Sequence, residues 1–417
     1  MAGRTHIIGG GLAGLSTAVN LTRAGREVSL YEGAGHCGGR CRSYFEPSLD
    51  RRIDNGNHLV LSGNRSALEY LNFIGAPEGL SGPDNTAYHF LDLVTSERWT
   101  VTLDAGFLLR AMVSKAGRVP GSRPGDYFKA FRLAWAGQEA TVAQCLGPDN
   151  VLFRRFWGPL AVAVLNTDAH EAAACLLRPV IRETFGRGAA ACRPLIAREG
   201  LSETFIDPAV VYLAANGAAI SLNTRLRALA MENGRVTALE FNTGSISLAE
   251  DDSVVLAVPP QSTAGLVPGL ETPNKSRAIV NGHFKLEREA PDLSFLGLIG
   301  GTAEWLFVRG DIVSVTVSAA DALAEHSAED IARTLWGEVA RALELADAPL
   351  PAHRIVKEKR ATFAQTPEQV SRRAGVRTEW ANLFLAGDWT DTGLPATIEG
   401  TIRSGGTASE TVLISSR

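Results

Sequence analysis

The sequence predicts an α/β fold in which a Rossmann-type lobe is interleaved with a second, mixed α+β lobe, and three observations carry that prediction. A short apolar strand runs straight into Gly9-Gly10-Gly11-Leu12-Ala13-Gly14 and then into Leu15, Ala18 and Val19 at helical spacing. A second strand follows Gly25 and ends on an acidic residue, Glu32. Far down the chain a strand, a turn at Ala386-Gly387-Asp388 and a last helix repeat the same grammar after long stretches of different character.

Residues 5–8 are the first strand. Gly25 stands where a left-handed helix cap is expected, so residues 27–31 become the second strand and the βαβ unit closes within about thirty residues. From 58 to 200 the pattern turns to helical stretches broken by Gly and Pro, at 66–74, 128–135 and 150–165, which belong to the other lobe. Residues 219–222, 236–241 and 253–257 read as β segments, with Asn233-Gly234 as a tight turn between the first two. They are expected to form a small antiparallel or edge sheet returning to the first lobe. From 265 to 377, strands such as 312–317 mix with one long helix over 328–345, and residues 383–385 and 397–411 supply the last strand and helix. No internal repeat or low-complexity linker is visible. The expected division is therefore 1–57, 200–264 and 378–417 in the Rossmann-type lobe, with 58–199 and 265–377 in the other.

A chain of 417 residues, 45% hydrophobic and 21% charged, can bury a large core without disulfide or metal staples. Its 41 Lys and Arg against 45 Asp and Glu give no basic field for a phosphate backbone, so nucleic acid is not an expected partner. Cys37, Cys41, Cys145, Cys175 and Cys192 are odd in number and sparse, which suits reduced thiols in the cytoplasm. The few residues before the first strand leave no room for a signal peptide, and no apolar run approaches the roughly 18 residues of a spanning helix.

Gly9, Gly11 and Gly14 match G-x-G-x-x-G, with Leu12 and Ala13 inside the same turn. The first glycine permits the turn, the second lets a pyrophosphate approach the backbone, and the third lets helix and strand pack closely. The helix N-terminus then faces the anion. Glu32 lies eighteen positions after Gly14, where a carboxylate accepts hydrogen bonds from ribose hydroxyls and repels a 2′-phosphate. The ligand is thus FAD or NAD rather than NADP, against the plainer reading of a structural glycine turn beside an exposed Glu. Gly38-Gly39-Arg40, just after Glu32 and Gly33, can bring a second backbone stretch and a fixed positive charge to the same ligand.

Together, Gly9 to Gly14, Glu32, Gly38-Gly39-Arg40 and Ala386-Gly387-Asp388-Trp389-Thr390 resemble the FAD-binding signature of the amine oxidase and phytoene desaturase superfamily. The resemblance favours FAD over NAD. It implies that Asp388 reaches the cofactor's phosphate and ribityl region, and that Ala396, Thr397 and Ile398 open a helix aimed at the isoalloxazine. It also sets Gly33, Gly39, Gly56, Asn57, His58, Leu226 and Gly387 along the cofactor. Within the superfamily, Asp54-Asn55-Gly56-Asn57-His58, the Pro159-Leu160 to Leu165-Asn166-Thr167 stretch and the run from Thr390 through Pro395-Ala396-Thr397 to Gly400 resemble the hydroxysqualene dehydroxylases, over essentially the whole chain. That implies reduction of a long apolar isoprenoid alcohol, hydroxysqualene, to squalene in hopanoid biosynthesis, with an unidentified electron donor. Rival readings are a carotenoid-type desaturase, an amine oxidase, or a flavin-bearing lipid-binding protein without catalysis.

Loss of hydroxide from an allylic carbon needs a proton on the leaving oxygen. His58 is the first candidate for that acid, against a plainer role in packing or in the cofactor loop. Asp391 is the second, against the usual turn-capping fate of an Asp in Thr-Asp-Thr-Gly. His36, Cys37 and Cys41 lack the second ligand pair that a metal would need. No G-x-S-x-G elbow supports Ser-His-Asp chemistry. Phe107, Leu108, Leu109, Met112 and Val113, flanked by Arg110, Lys115 and Arg118, form an amphipathic stripe. It faces either a core or, as a peripheral contact, a membrane from which such a substrate is collected.

Overall fold

The structure, a computed structural model, describes residues 3–104, 106–289, 294–345 and 348–415. Strand β1 (Thr5–Ile8), helix α1 (Leu12–Arg23) and strand β2 (Val28–Tyr31) form the N-terminal unit. The two strands pair in parallel and are buried at every position. A parallel sheet covered on both faces buries every position, so even Thr5, His6 and Ser29 are enclosed. The sheet grows from distant stretches: Ser253–Leu256 pairs with the free side of β1, Leu383–Leu385 lies beyond it, and Ala219–Ser221 flanks β2.

Two expectations change here. Ala219–Ser221 and Ser253–Leu256 are parallel members of the main sheet, not of a small antiparallel one. The antiparallel sheet is built instead from Leu226–Glu232, Arg235–Phe241 and Gly244–Ser247, and Asn233-Gly234 turns between the first two of these. The segment Leu226–Glu232 is rich in Leu, Ala, Met and Arg, good helix formers; pairing with its neighbour overrides that propensity. A three-residue strand such as Ala219–Ser221 carries no local mark of the direction in which it will pair.

The other lobe rests on a seven-stranded sheet ordered His353–Phe363, Ser276–Lys285, Ile312–Val317, Trp305–Arg309, Phe295–Ile299, Ala87–Asp92 and Arg98–Thr102. Period-two alternation divides its faces. Val280, Phe284, Leu306, Val313 and Val315 pack beneath the long helix Ala328–Ala342 through Ile331, Leu335, Trp336 and Val339. Asn281, His283, Ser314, Thr316 and Trp305 point the other way, towards the glycine-turn lobe and an aromatic cluster that includes Tyr88, Phe90, Phe156 and Phe295.

Among the helical expectations, 66–74 is seen as Arg65–Phe73 and 328–345 as Ala328–Ala342. The segment 128–135 is a short helix, Pro124–Phe128, followed by a 3₁₀ stretch, Lys129–Trp135, while 150–165 carries a π-type turn, Phe153–Trp157, before Gly158–Leu165. The stripe that opens at Phe107 is split. Phe107 is buried against Tyr127 and Phe156, so it belongs to the core, whereas Leu109 and Val113 face outward. The last helix, Ile398–Ser415, lies on α1, and a Cβ at Gly405 would stand 2.7 Å from the Ala13 carbonyl oxygen.

Candidate active site

The glycine turn has the geometry its spacing requires. A Cβ at Gly14 would sit 1.9 Å from the Gly9 carbonyl oxygen, so helix and strand close on each other only with glycine there. A Cβ at Gly11, by contrast, would enter open space, with nothing within 4 Å. Glu32, at the end of β2, accepts the Gly10 N–H on Oε2 at 2.7 Å and the Ala34 N–H on Oε1 at 2.8 Å. Those bonds orient the carboxylate and leave lone pairs for a diol. Gly33 abuts the Arg225 side chain, and Leu226 is buried beneath Tyr31 in the adjoining cluster.

Gly38 donates its N–H to the Gly10 carbonyl at 2.8 Å, with φ +112° in the region that favours glycine. That bond lays Gly39 against Gly11. Arg40 then reaches across to Asp388, Nη2 to Oδ1 at 2.8 Å, and donates to the Ala361 carbonyl. Asp388 keeps the guanidinium firmly charged, raising its pKa despite burial. The turn before Asp388 is fixed by Ser404, whose hydroxyl accepts the Gly387 N–H at 2.9 Å.

Thr397 caps the last helix, its Oγ1 accepting the Gly400 N–H at 3.1 Å, so the positive end of that helix starts at Thr397 and Ile398. Ala396 donates its N–H to Gln365 Oε1 at 2.9 Å. Gln365 in turn donates Nε2 to the Leu165 carbonyl at 2.6 Å, and its N–H goes to Thr167 Oγ1 at 2.9 Å. Between those two, Asn166 adopts φ +44°, accepts the Ala319 N–H at 2.7 Å and donates to Thr362 Oγ1 at 3.0 Å. The Leu165-Asn166-Thr167 motif is therefore a joint between elements. Buried Arg373 donates to the carbonyls of Trp389, Thr390 and Leu394, holding the loop that precedes the last helix. Neither Gln365 nor Arg373 announces itself in the sequence, because each acts through partners far from it along the chain.

The loop carrying Gly56, Asn57 and His58 is stapled to the seven-stranded sheet. Asn57 Nδ2 donates to Thr316 Oγ1 at 3.1 Å, that hydroxyl donates to Asn281 Oδ1 at 2.8 Å, and Asn281 Nδ2 returns to the Asn55 carbonyl at 3.3 Å. A Cβ at Gly56 would crowd Asn281 at 3.3 Å. Buried Asp54 anchors the loop, accepting from Ser43 Oγ and the Leu201 N–H on Oδ1 and pairing with Arg309 through Oδ2 at 2.7 Å.

His58 is exposed by its surface area and makes no hydrogen bond among the described residues. The protein crowded around it still lowers its imidazole from the usual histidine range, Asp54 opposes that shift and Arg40 adds to it. Asp391 is exposed, and its Oδ1 accepts the Gly393 N–H at 3.2 Å, which closes its own turn. The structure does not bring Asp391 and His58 into contact. Glu304, just before Trp305, pairs with Leu298 across the sheet and so lies on the face covered by the helix Ala328–Ala342, away from the site. Its Oε2 accepts the Ser318 N–H at 2.7 Å, and burial raises its carboxyl to about 7 against that bond. A lone Glu opening a strand gives no signal in sequence.

The arrangement fits an extended dinucleotide: an open backbone cradle at Gly11, an oriented ribose acceptor in Glu32, a fixed cation at Arg40 and a helix end at Thr397. Fold and site together define a two-lobed α/β oxidoreductase of the flavoprotein class. The family model for flavin containing amine oxidoreductases matches residues 12–413. A hydroxysqualene dehydroxylase of Rhodopseudomonas palustris is 45% identical over 100% of both chains, and one of Sinorhizobium fredii is 45% identical over 99% of both. A structure of putrescine oxidase, redesigned in its cofactor binding, superposes with a TM-score of 0.71 at 16% identity over 99% of each chain, a likeness of fold. The chain belongs to the flavin-containing amine oxidoreductases and, within them, to the hydroxysqualene dehydroxylase family. It is a flavin-dependent oxidoreductase.

Proposed function

We propose that the chain binds FAD and catalyses the reduction of hydroxysqualene to squalene. The observation that carries this reading is the full-length identity of 45% with relatives named hydroxysqualene dehydroxylase. The overall reaction breaks one C–O bond, forms one C–H bond at the same carbon and releases water, consuming two electrons and two protons. Reduced flavin, when bound, would supply the hydride; the donor that reduces it is unidentified.

The cofactor contacts in this reading are Gly9, Gly11, Leu12, Ala13, Gly14, Glu32, Gly33, Gly39, Arg40, Gly56, Asn57, His58, Leu226, Gly387, Asp388, Ala396, Thr397 and Ile398. Protein groups have two tasks beyond them. The first is to bind a long apolar chain and exclude water. Partly exposed Leu59, Leu61, Val164, Ile181 and Phe307 adjoin the aromatic cluster of the second lobe and suit that task. The second is to protonate the leaving hydroxyl. His58, on the loop that flanks the cofactor in this reading, is the first candidate to supply that proton, and Asp391 is the second.

No helix among the described residues is long and apolar enough to cross a membrane. We place the protein in the cytoplasm, in peripheral contact with the membrane that holds its substrate; its five free cysteines support a reducing compartment.

The test is anaerobic incubation of the dithionite-reduced protein with hydroxysqualene. Squalene is expected as the product, carrying one hydrogen from the flavin. His58→Ala should keep its flavin spectrum and lose about a hundredfold or more in rate. Asp391→Asn should be active. Full activity in His58→Ala, with a large loss in Asp391→Asn, transfers the acid role to Asp391. Desaturation of squalene by the oxidised protein, without any reduction of hydroxysqualene, overturns the reading.

A further inference from the structure

Apart from Val94, the large apolar residues exposed on the second lobe come from one stretch of chain. Leu109 is 65% exposed, Val113 76%, Phe128 59%, Phe131 48% and Trp135 80%, all within 27 residues of chain. Burying them would cost nothing in desolvation, yet the fold keeps them out. Their helices turn their other sides inward: Phe107 and Ala111 from helix Phe107–Val113, Tyr127 from Pro124–Phe128 and Leu133 from the following 3₁₀ stretch all enter one cluster. Phe107 and Tyr127 rings meet at 5.8 Å, so the two helices form one layer and their outward residues share its outer surface. Phe128 and Phe131 rings stand 6.5 Å apart on that surface.

The charge around them is one-sided. Residues 107–135 hold Arg110, Lys115, Arg118, Arg123, Lys129 and Arg132 against one acid, Asp126, in a chain whose net charge is −4. Arg110 pairs with Asp104, and Arg118 holds the carbonyls of Ala111 and Met112. Lys115, Arg123 and Arg132 are exposed and make no ion pair among the described residues. Trp and Phe beside free Lys and Arg is the composition of an interfacial membrane anchor. The layer also rests directly on the candidate substrate region: aromatic contacts run from Phe107 to Phe156 at 5.4 Å, from Phe156 to Phe90 at 6.3 Å and from Phe90 to Trp305 at 5.8 Å.

We propose that the outer face of residues 107–135, through Leu109, Val113, Phe128, Phe131 and Trp135, docks the protein on an anionic lipid surface. The occupant is a lipid leaflet rather than a protein because the apolar residues share their stretch with exposed cations that make no ion pair among the described residues, which match anionic headgroups. The proposal rests on the reading above for its purpose, collection of a water-insoluble substrate, but not for its evidence.

Flotation with phosphatidylcholine vesicles, with and without phosphatidylglycerol, tests it in the full-length protein. Binding is expected only with phosphatidylglycerol and should fall at least tenfold in 0.5 M salt. Phe131→Ser with Trp135→Ser should lower it at least tenfold, as should Lys115→Glu with Arg132→Glu. Val211→Ser, an exposed apolar site outside the patch, should bind like the parent. All variants should keep their flavin and turn over detergent-solubilised hydroxysqualene at the parent rate, losing rate only when substrate is delivered in vesicles. Absence of vesicle binding, equal binding by parent and patch variants, or a concentration-dependent dimer that the patch variants abolish would each overturn it. Vesicle binding by a protein inert towards solubilised hydroxysqualene would support the surface while refuting the catalytic reading.

Discussion

Gly11 and Gly14 differ in what a side chain would meet, although both belong to one motif. At Gly14 the obstacle is backbone, the Gly9 carbonyl, so Gly14→Val should prevent folding of the N-terminal unit. At Gly11 the space is open, so Gly11→Val should fold with an unchanged circular dichroism spectrum and fail to retain flavin. A yellow Gly11→Val protein would contradict the cradle. Two buried titratable residues act on stability with opposite signs. His283, its Nδ1 on Ser314 Oγ at 2.8 Å, is pushed by burial from 6.5 to about 4; the unfolded chain takes up that proton first, and stability falls as pH drops from 6.5 to 4. Glu304 is raised from 4.5 to about 7; the folded chain holds that proton longer, and stability falls as pH rises from 4.5 to 7. Each shift is worth as much as ~3 kcal/mol, so the two slopes largely cancel in the parent protein. Glu304→Gln should therefore gain stability over the parent progressively from pH 4.5 to 7, read from urea midpoints; a constant difference across that range would refute the assignment.

The last helix owes its position to polar ties as much as to its apolar face. Glu399, buried in its first turn, accepts the N–H groups of Ser66 and Ala67, capping helix Arg65–Phe73 from outside, and pairs with Arg403 at 2.8 Å. Arg403 continues to Glu183 of helix Ala174–Glu183 at 2.7 Å. One carboxylate thus joins three helices. Glu399→Ala leaves two donors and a cation without their partner and should cost about 2–3 kcal/mol, whereas Glu399→Gln, which still accepts one bond, should cost about half as much. Chemical denaturation measures both. Equal losses would mean that packing, not hydrogen bonding, sets the effect.

At the scale of the whole molecule, one group of polar ties between the lobes gathers around the loop of residues 54–58. Asp54 and Arg309, and the chain from Asn57 through Thr316 to Asn281, tie this loop to the seven-stranded sheet. Arg309→Ala leaves Asp54 buried with its Ser43 and Leu201 bonds but no counter-charge, a cost of about 2 kcal/mol for a partly exposed partner. The expected outcome is a lower thermal midpoint and faster flavin release, with the glycine turn untouched. Release at the parent rate would show that the staple does not govern the gap between lobes.

What this sequence determined by itself is the part written in short-range pattern. The glycine turn, its strands and Glu32 lie within 32 residues, and their spacing encodes backbone clearances that no distant residue can replace. The resemblance of the Ala386 to Gly400 stretch extended that legibility to the far end of the chain. Tertiary structure alone decided the rest. It set Ala219–Ser221 parallel beside β2, it folded the helix-prone Leu226–Glu232 into a hairpin, and it buried Phe107 while leaving Trp135 in solvent. It also turned Asp391 to its own loop and gave Glu304 its raised pKa. The reason is common to all of these: direction of pairing, burial and proton affinity depend on which distant groups come within a few ångströms, and a local pattern of residue types does not contain that information.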